Sequence, residues 1–309
     1  MDLEVATCIA FFLLGLVMLV KGGDIFVDGS LWIARKFGIS ELVIGATVVS
    51  IGTTLPELTV SATAAVTGHA GIAYGNAIGS VICNTALIAG LSLLIRPVAV
   101  SRKSIANHVI FFFAAAILYT LSAVIFGGIP RMVGALLLTL FVFYCVWTLE
   151  HGGESRVQPV EGSMAKEVVL MILGAAAVYL GSRLVVENAE QFAIWMKVPE
   201  EVVALTMVAL GTSLPELATA IIALRKKHGA LSLGNILGAN LFNLVLVSGL
   251  ASLMMPTPVD LASVMSDLVV MFFVMLVLTL PILVRGKSSR FQGLMLLATY
   301  GLYALALYH

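Results

Sequence analysis

The chain has 309 residues, of which 60% are hydrophobic and only 11% charged, and its mean hydropathy is +1.08. Soluble domains carry roughly a quarter charged residues, so this composition excludes an ordinary soluble enzyme domain. The balance of 17 Lys and Arg against 17 Asp and Glu also lacks the basic footprint of a nucleic-acid binder. What remains is a helical protein that crosses a membrane many times, with the bilayer as its principal partner and no obligatory protein partner evident.

In chain order, the apolar runs predict ten helices at about 5–33, 40–67, 71–95, 105–127, 130–149, 166–196, 200–225, 230–254, 262–284 and 290–308. A bilayer-spanning helix needs about 20 mostly apolar residues, and each run approaches or exceeds that. The start, Met1-Asp2-Leu3-Glu4, is acidic where a secretory signal is basic, so the first run is expected to stay as a span. The first and sixth runs are long enough to tilt or bend. Cys8, Cys83 and Cys145 lie singly in apolar runs and read as packing residues, because an odd, scattered set forms no disulfide framework and no metal pair.

The longest polar stretch, 150–165, is too short for a folded regulatory domain. It divides a first five-helix repeat (1–149) from a second (166–309) and reads as a cytoplasmic linker. Lys and Arg sort strongly by side. Thirteen, including Arg35, Lys36, Arg96, Lys166 and Lys226, fall opposite the amino terminus, against Arg131 and Lys197 on its own side. Basic residues mark the cytoplasmic face, so both termini are expected outside the cytoplasm of a cell-membrane protein.

An internal repeat dominates the sequence. Gly52-Thr53-Thr54-Leu55-Pro56-Glu57-Leu58 recurs 159 residues later as Gly211-Thr212-Ser213-Leu214-Pro215-Glu216-Leu217. At the same offset, the segment Gly75 to Asn84 recurs as Gly234 to Asn243, and ungapped alignment of 45–91 on 204–250 gives 17 identities. Chance matches between apolar helices produce Leu, Val and Ala; matching Pro, Glu, Asn and Gly at fixed spacing requires a true repeat. Five spans per half is an odd number, so the second half must enter from the opposite face. Inverted repeats of this kind are typical of secondary transporters, whose sites lie at the repeat interface near the midplane. The expected fold is therefore an all-α membrane protein of ten transmembrane helices in two inverted five-helix repeats.

Glu57 and Glu216 fall deep within apolar runs. An ionisable group there costs about 2.5–3.5 kcal/mol on insertion scales and suggests function; a single one could equally tie two helices together. Two at equivalent positions favour a shared site. Each follows a proline, which lacks an N–H and disturbs the carbonyl four residues back, leaving oxygens free around Gly52 and Thr53 and around Gly211 and Thr212. Thr53, Thr54, Thr212 and Ser213 add hydroxyls. Asn84 and Asn243 offer matching amide oxygens, whereas Asn76 and Asn235 read better as interhelix hydrogen-bonders, and Gly75, Gly79, Gly234 and Gly238 as close-packing positions. An all-oxygen inventory suits a hard cation. Two carboxylates match the charge of one calcium ion, and flexible carbonyls favour calcium over magnesium.

These paired GTTLPEL/GTSLPEL and GNAIGSVICN/GNILGANLFN segments resemble the α-repeats of the calcium:cation antiporter superfamily, especially its short prokaryotic sodium/calcium exchanger branch. The resemblance spans nearly the whole chain. It implies a secondary active antiporter, not an enzyme, exchanging Na⁺ for Ca²⁺ by alternating access with about three Na⁺ per Ca²⁺ and no cofactor. It also implies that Glu57 and Glu216 are the principal ligands and that Thr53 and Thr212 supply backbone oxygens. Thr54, Ser213 and Ser80 would line flanking sodium sites, Asn84 and Asn243 would complete the central position, and Ser50 and Ala209 would offer carbonyls one turn earlier. The first and sixth helices would slide against the remaining eight.

Two departures from the family pattern matter. Ala239 stands where some members carry a serine, and Asn243 where some carry an aspartate. The first removes a hydroxyl and keeps a proton/calcium antiporter of the same fold in play; the second fits a site charge of −2. A passive calcium channel would use the same oxygens without a counter-ion, and an intramembrane enzyme would need a His/Asp metal set that the sequence lacks. Arg183 and Glu187 read as a structural group with Lys21, Asp24 or Asp28.

Overall fold

The computed structural model describes residues 3–151, 160–195 and 210–307. Its helices are α1 (Leu3–Phe37), α2 (Glu41–Thr53), α3 (Leu55–Val66), α4 (Gly71–Ile95), α5 (Arg102–Phe126), α6 (Arg131–His151), α7 (Met164–Trp195), α8 (Leu214–Arg225), α9 (Gly229–Met254), α10 (Leu261–Arg285) and α11 (Arg290–Leu307). Among the described residues, seven helices are long and apolar enough to cross a bilayer, and an eighth span results if the bent pair α2 and α3 counts as one. The chain is an all-helical membrane protein. Of the runs expected from sequence, the one at 200–225 is described only from Leu210, and Lys197, Ala209 and linker residues 152–159 lie outside the described residues.

Local chemistry sets the helix ends. Ser40 accepts a hydrogen bond from Val43 N at 3.4 Å and so caps α2, and Asp260 accepts from Ala262 N at 3.2 Å ahead of α10, each satisfying a first-turn donor that has no helical partner. Gly127 and Gly286 end α5 and α10 with φ of 63° and 70°, a left-handed turn that suits glycine. Beyond α5, Gly128–Ile129 pairs antiparallel with Thr257–Pro258. This two-residue ladder joins the end of α5 to the entry of α10, and a single antiparallel bridge links Ala99 to Lys287.

Helices α1 and α7 run antiparallel, with Glu4 and Thr7 of α1 beside Gln191 and Trp195 of α7. Their axes approach closely because glycine faces glycine. A Cβ on Gly15 would stand 2.8 Å from the Gly181 carbonyl oxygen, and one on Gly22 would stand 2.9 Å from that of Gly174. The remaining helices form the core, with Phe112, Tyr119, Tyr144 and Phe242 fully enclosed at its centre. Burial varies widely among the helices: 22% of the apolar window of α1 is enclosed, against 83% for α9. The outer faces of α1, α5, α6 and α7 show Val17, Ile110, Val142 and Leu173 outward, as a lipid-facing surface requires.

Candidate cation site

Each repeat breaks its helix at one point. Helix α2 ends at Thr53, Thr54 adopts a non-helical ψ of 3°, and α3 restarts at Leu55 with Pro56 in its first turn, bent by 46°. The second repeat does the same at Ser213, with ψ of 3° and Pro215 in the first turn of α8. Proline fits there because first-turn N–H groups have no helical acceptor. Glu57 and Glu216 therefore sit in the first turns of α3 and α8, at helix N-termini that favour an acidic side chain. Both are fully buried.

The two breaks face each other. Thr54 Oγ1 donates to Glu216 Oε1 at 3.4 Å. The repeat-related approach brings Ser213 and Thr212 to Glu57. Thr53 Oγ1 donates to Asn235 Oδ1 at 3.2 Å, and Thr212 Oγ1 to Asn76 Oδ1 at 3.4 Å. These reciprocal bonds cross from one repeat to the other. The asparagine amides then tie locally: Asn76 Nδ2 donates to Ser61 Oγ at 2.9 Å and to the Glu57 carbonyl at 3.1 Å, and Asn235 Nδ2 to Thr219 Oγ1 at 2.9 Å. Asn76 and Asn235 thus act as the interhelix hydrogen-bonders the sequence suggested. They hold the glutamate-bearing turns in place.

A second class of polar atoms is buried and lacks a hydrogen-bond partner among the described residues: both carboxylate oxygens of Glu57, Oε2 of Glu216, the Ser80 and Ser213 hydroxyls, and both amide ends of Asn84 and Asn243. Leaving one such group unpaired costs about 1–3 kcal/mol. Other buried atoms such as Tyr74 Oη, Ser92 Oγ and Thr148 Oγ1 are also unpartnered among the described residues, but the carboxylates of Glu57 and Glu216 are the costliest to leave so, and a cation would satisfy carboxylate, hydroxyl and amide oxygens together. Glu57 and Glu216 are the fully enclosed carboxylates among the described residues. No cluster of three His, Cys, Asp or Glu side chains forms there either. The arrangement is two charges set among neutral oxygens.

Asn84 and Asn243 stand in π-helical turns, Cys83–Ile88 and Asn243–Val247. A π-turn inserts a residue and releases a backbone carbonyl, and such turns gather at functional sites. Here Ser248 Oγ donates to the Asn243 carbonyl at 2.9 Å. A third π-turn, Gly45–Val49, precedes Ser50 in α2. The Ser50 carbonyl accepts from Thr54 N at 3.0 Å, and its hydroxyl donates to the carbonyls of Gly45 at 2.8 Å and Asn235 at 3.0 Å. Ala209 lies outside the described residues.

Sequence reasoning passed over Asn240. It is fully buried, its Nδ2 donates to Thr85 Oγ1 at 2.7 Å, and its Oδ1 has no partner among the described residues. The equivalent position in the first repeat is Val81, so a search for repeated polar residues misses it. The expected grouping of Arg183 with Lys21, Asp24 or Asp28 is corrected. Arg183 binds Glu187 at 2.8 Å, whereas Asp24 and Asp28 engage Lys226.

A cavity of about 580 Å³ leads from Pro56, Gly211 and Thr212 to Thr67 and His69 at the end of α3, with Ser182 and Arg183 of α7 on its far wall. Two enclosed carboxylates at helix breaks, with a cavity bordering Pro56 and Thr212 beside them, are the setting of an all-helical membrane transporter.

Comparison with known proteins specifies which. A model of the sodium/calcium exchanger protein family matches residues 7–149 and 166–309. The chain belongs to that family, and so to the prokaryotic branch of the calcium:cation antiporters; it is a cation/calcium antiporter by descent. It is 37% identical over 297 residues to an uncharacterized membrane protein, MJ0091, of Methanocaldococcus jannaschii, covering 94% of this chain and 95% of that one. It is 30% identical to the sodium/calcium exchanger MaX1 of Methanosarcina acetivorans, covering 96% and 97%. A solved structure of the sodium-calcium exchanger NCX_Mj, soaked with Na⁺ and Sr²⁺, superposes with a TM-score of 0.85 at 37% identity, covering 98% of this chain and 99% of the other.

Proposed function

We propose that the chain exchanges Na⁺ for Ca²⁺ across the cell membrane by alternating access, with Ca²⁺ held between Glu57 and Glu216. The observation that carries this reading is the set of unpartnered buried oxygens on Glu57, Glu216, Asn84, Asn243, Ser80 and Ser213, drawn from both repeats. In this reading Thr53 and Thr212 turn backbone oxygens toward the ions. Thr54, Ser213 and Ser80 serve the flanking Na⁺ positions, and Ser50 and Ala209 border them. The exchanger names of MaX1 and NCX_Mj support sodium as the counter-ion.

The architecture proposed with it is ten spans in two inverted five-helix repeats, 1–149 and 166–309, joined by a cytoplasmic linker, with both termini outside. Supporting this are the antiparallel course of α1 and α7, which are equivalent in the repeat, and the basic residues gathered opposite the amino terminus. No cofactor and no protein partner enter the scheme.

Three Na⁺ per Ca²⁺ is the proposed ratio. A tenfold Na⁺ gradient is worth about 1.4 kcal/mol per ion and the net charge about 2.3 kcal/mol at 100 mV, so one cycle supplies about 6.5 kcal/mol. That sustains a calcium ratio on the order of 10⁴–10⁵, enough for export.

A second reading, proton/calcium antiport on the same site, draws on Ala239, which is fully buried where the first repeat has Ser80 and so contributes no hydroxyl. Calcium-45 uptake by proteoliposomes loaded with Na⁺ and diluted into Na⁺-free buffer separates the two. Uptake that requires outward Na⁺ is expected. Uptake driven by a proton gradient alone would transfer the coupling to H⁺, and uptake without any gradient would indicate a channel.

A further inference from the structure

The α1–α7 pair meets the core at two seams related by the repeat, α1 against α8 and α7 against α3, and among the described residues a charge ties the first alone. Where α8 ends, Lys226 Nζ donates to Asp28 Oδ1 at 2.6 Å and to the Asp24 carbonyl at 3.2 Å, and stands 3.4 Å from Asp24 Oδ1. Asp24 and Asp28 are one turn apart on α1, so a single ammonium clamps two points of that helix. Just inside the tie, Ile222 of α8 fills the notch left by Gly23 of α1. Phe26 likewise lies against Gly52, and Phe26, Val27 and Ile222 share one apolar cluster. This seam between α1 and α8 is packed shut.

The positions 159 residues away behave oppositely. Asp24 and Asp28 correspond to Arg183 and Glu187, which bind each other at 2.8 Å, and Lys226 corresponds to Thr67, which is neutral. Gly23 and Ile222 correspond to Ser182 and Thr63, which stand on the walls of the 580 Å³ cavity instead of touching. Of two seams related by the repeat, one is filled and cross-linked by charge, and the other is open without a charge spanning it in the same way.

We infer that Lys226 is a one-sided tie that, through Asp24 and Asp28, holds α1 on α8 and so favours the conformation open at Thr63 and Ser182 over the one open at Gly23 and Ile222. The inference rests on the alternating-access reading. Lys226 acts as a positioning residue: it touches no ion, and it sets which seam is open. A group that contacts one state and is released in the other shifts the equilibrium by that difference alone.

The test is the alkylation rate, by N-ethylmaleimide, of Thr63→Cys and Ile222→Cys introduced one at a time into the purified full chain, read by peptide mass spectrometry so that the native cysteines remain. With Lys226 present, Thr63→Cys should react quickly and Ile222→Cys slowly. Lys226→Gln should raise the rate at Ile222→Cys by at least about fivefold, the lower end of measured coupling energies, while lowering it at Thr63→Cys. The swap Lys226→Asp with Asp28→Lys should restore both. Asp24→Asn with Asp28→Asn provides the same release should Lys226→Gln fail to fold. Glu41→Gln breaks the nearby His228–Glu41 contact at 2.7 Å, which does not involve α1, and should change neither rate. Rates that stay fixed in Lys226→Gln, or that rise at both positions as in general loosening, overturn the inference. Calcium-45 exchange by the unmodified chain is measured alongside. Opposite alkylation shifts without Na⁺-dependent flux would overturn the exchange reading alone, and intact flux without the shifts would overturn the tie alone.

Discussion

Glu57 and Glu216 contribute the charge of the site, and their neighbours contribute shape. Replacing either carboxylate by the isosteric amide preserves volume, exchanges one acceptor oxygen for an N–H donor and removes the charge that would balance a divalent ion. Glu57→Gln and Glu216→Gln should each abolish calcium-45 exchange in proteoliposomes while the protein still elutes as a single monodisperse peak; exchange at the original rate in either variant would refute the assignment. Ala239 makes a finer prediction. Its Cβ lies fully buried at the position equivalent to Ser80, so Ala239→Ser adds one hydroxyl to a site of neutral oxygens. The Na⁺ concentration giving half-maximal exchange should fall, with little change in that for Ca²⁺. The proposed site residues stood out at this scale because a repeat flags unusual side chains twice. Asn240 and Thr85 escaped because their bond joins positions whose repeat partners, Val81 and Leu244, are apolar.

At the scale of the element, the 46° break between α2 and α3 is what turns an apolar span into a ligand-bearing one. Pro56 denies the Gly52 carbonyl its helical donor and keeps it available. Pro56→Ala offers that carbonyl an N–H and lets the helix straighten. Calcium affinity, measured by titration of the purified protein, should weaken by about tenfold, which is ~1.4 kcal/mol; unchanged affinity would mean that the bend serves packing alone. The prolines and the helix bounds were readable in advance, since both follow from composition and local sterics. The π-turns at Cys83–Ile88 and Asn243–Val247 were not. Their cause is the fit of α4 and α9 against neighbouring helices, which no local propensity encodes.

For the molecule as a whole, an α1–α7 pair joined along facing glycines lies against a well-packed core, with an open seam on one side and a tied seam on the other. In the alternating-access reading proposed above, such a body would rock about a fixed site. If three Na⁺ leave for each Ca²⁺ that enters, one net positive charge moves with the Na⁺. Calcium uptake into Na⁺-loaded vesicles should therefore accelerate when a potassium diffusion potential makes the interior positive, and slow when it is negative. A rate indifferent to potential would require an electroneutral exchange of two Na⁺ per Ca²⁺.

The sequence by itself determined that the chain lives in a bilayer, roughly where its described helices run, and that two carboxylates hold equivalent positions in a repeat, because hydropathy, proline and the repeat are local or periodic properties. Only the tertiary structure decided what those groups touch. It assigned Asn76 and Asn235 to holding the glutamate-bearing turns and left Asn84 and Asn243 without partners. It moved Asp24 and Asp28 from Arg183, the expected neighbour, to Lys226, some 200 residues along the chain. The repeat makes the two halves equivalent on paper, but ion pairing depends on which helices meet at one face. That is settled by packing between distant segments, and there Lys226 faces an aspartate pair while Thr67 borders an open cavity.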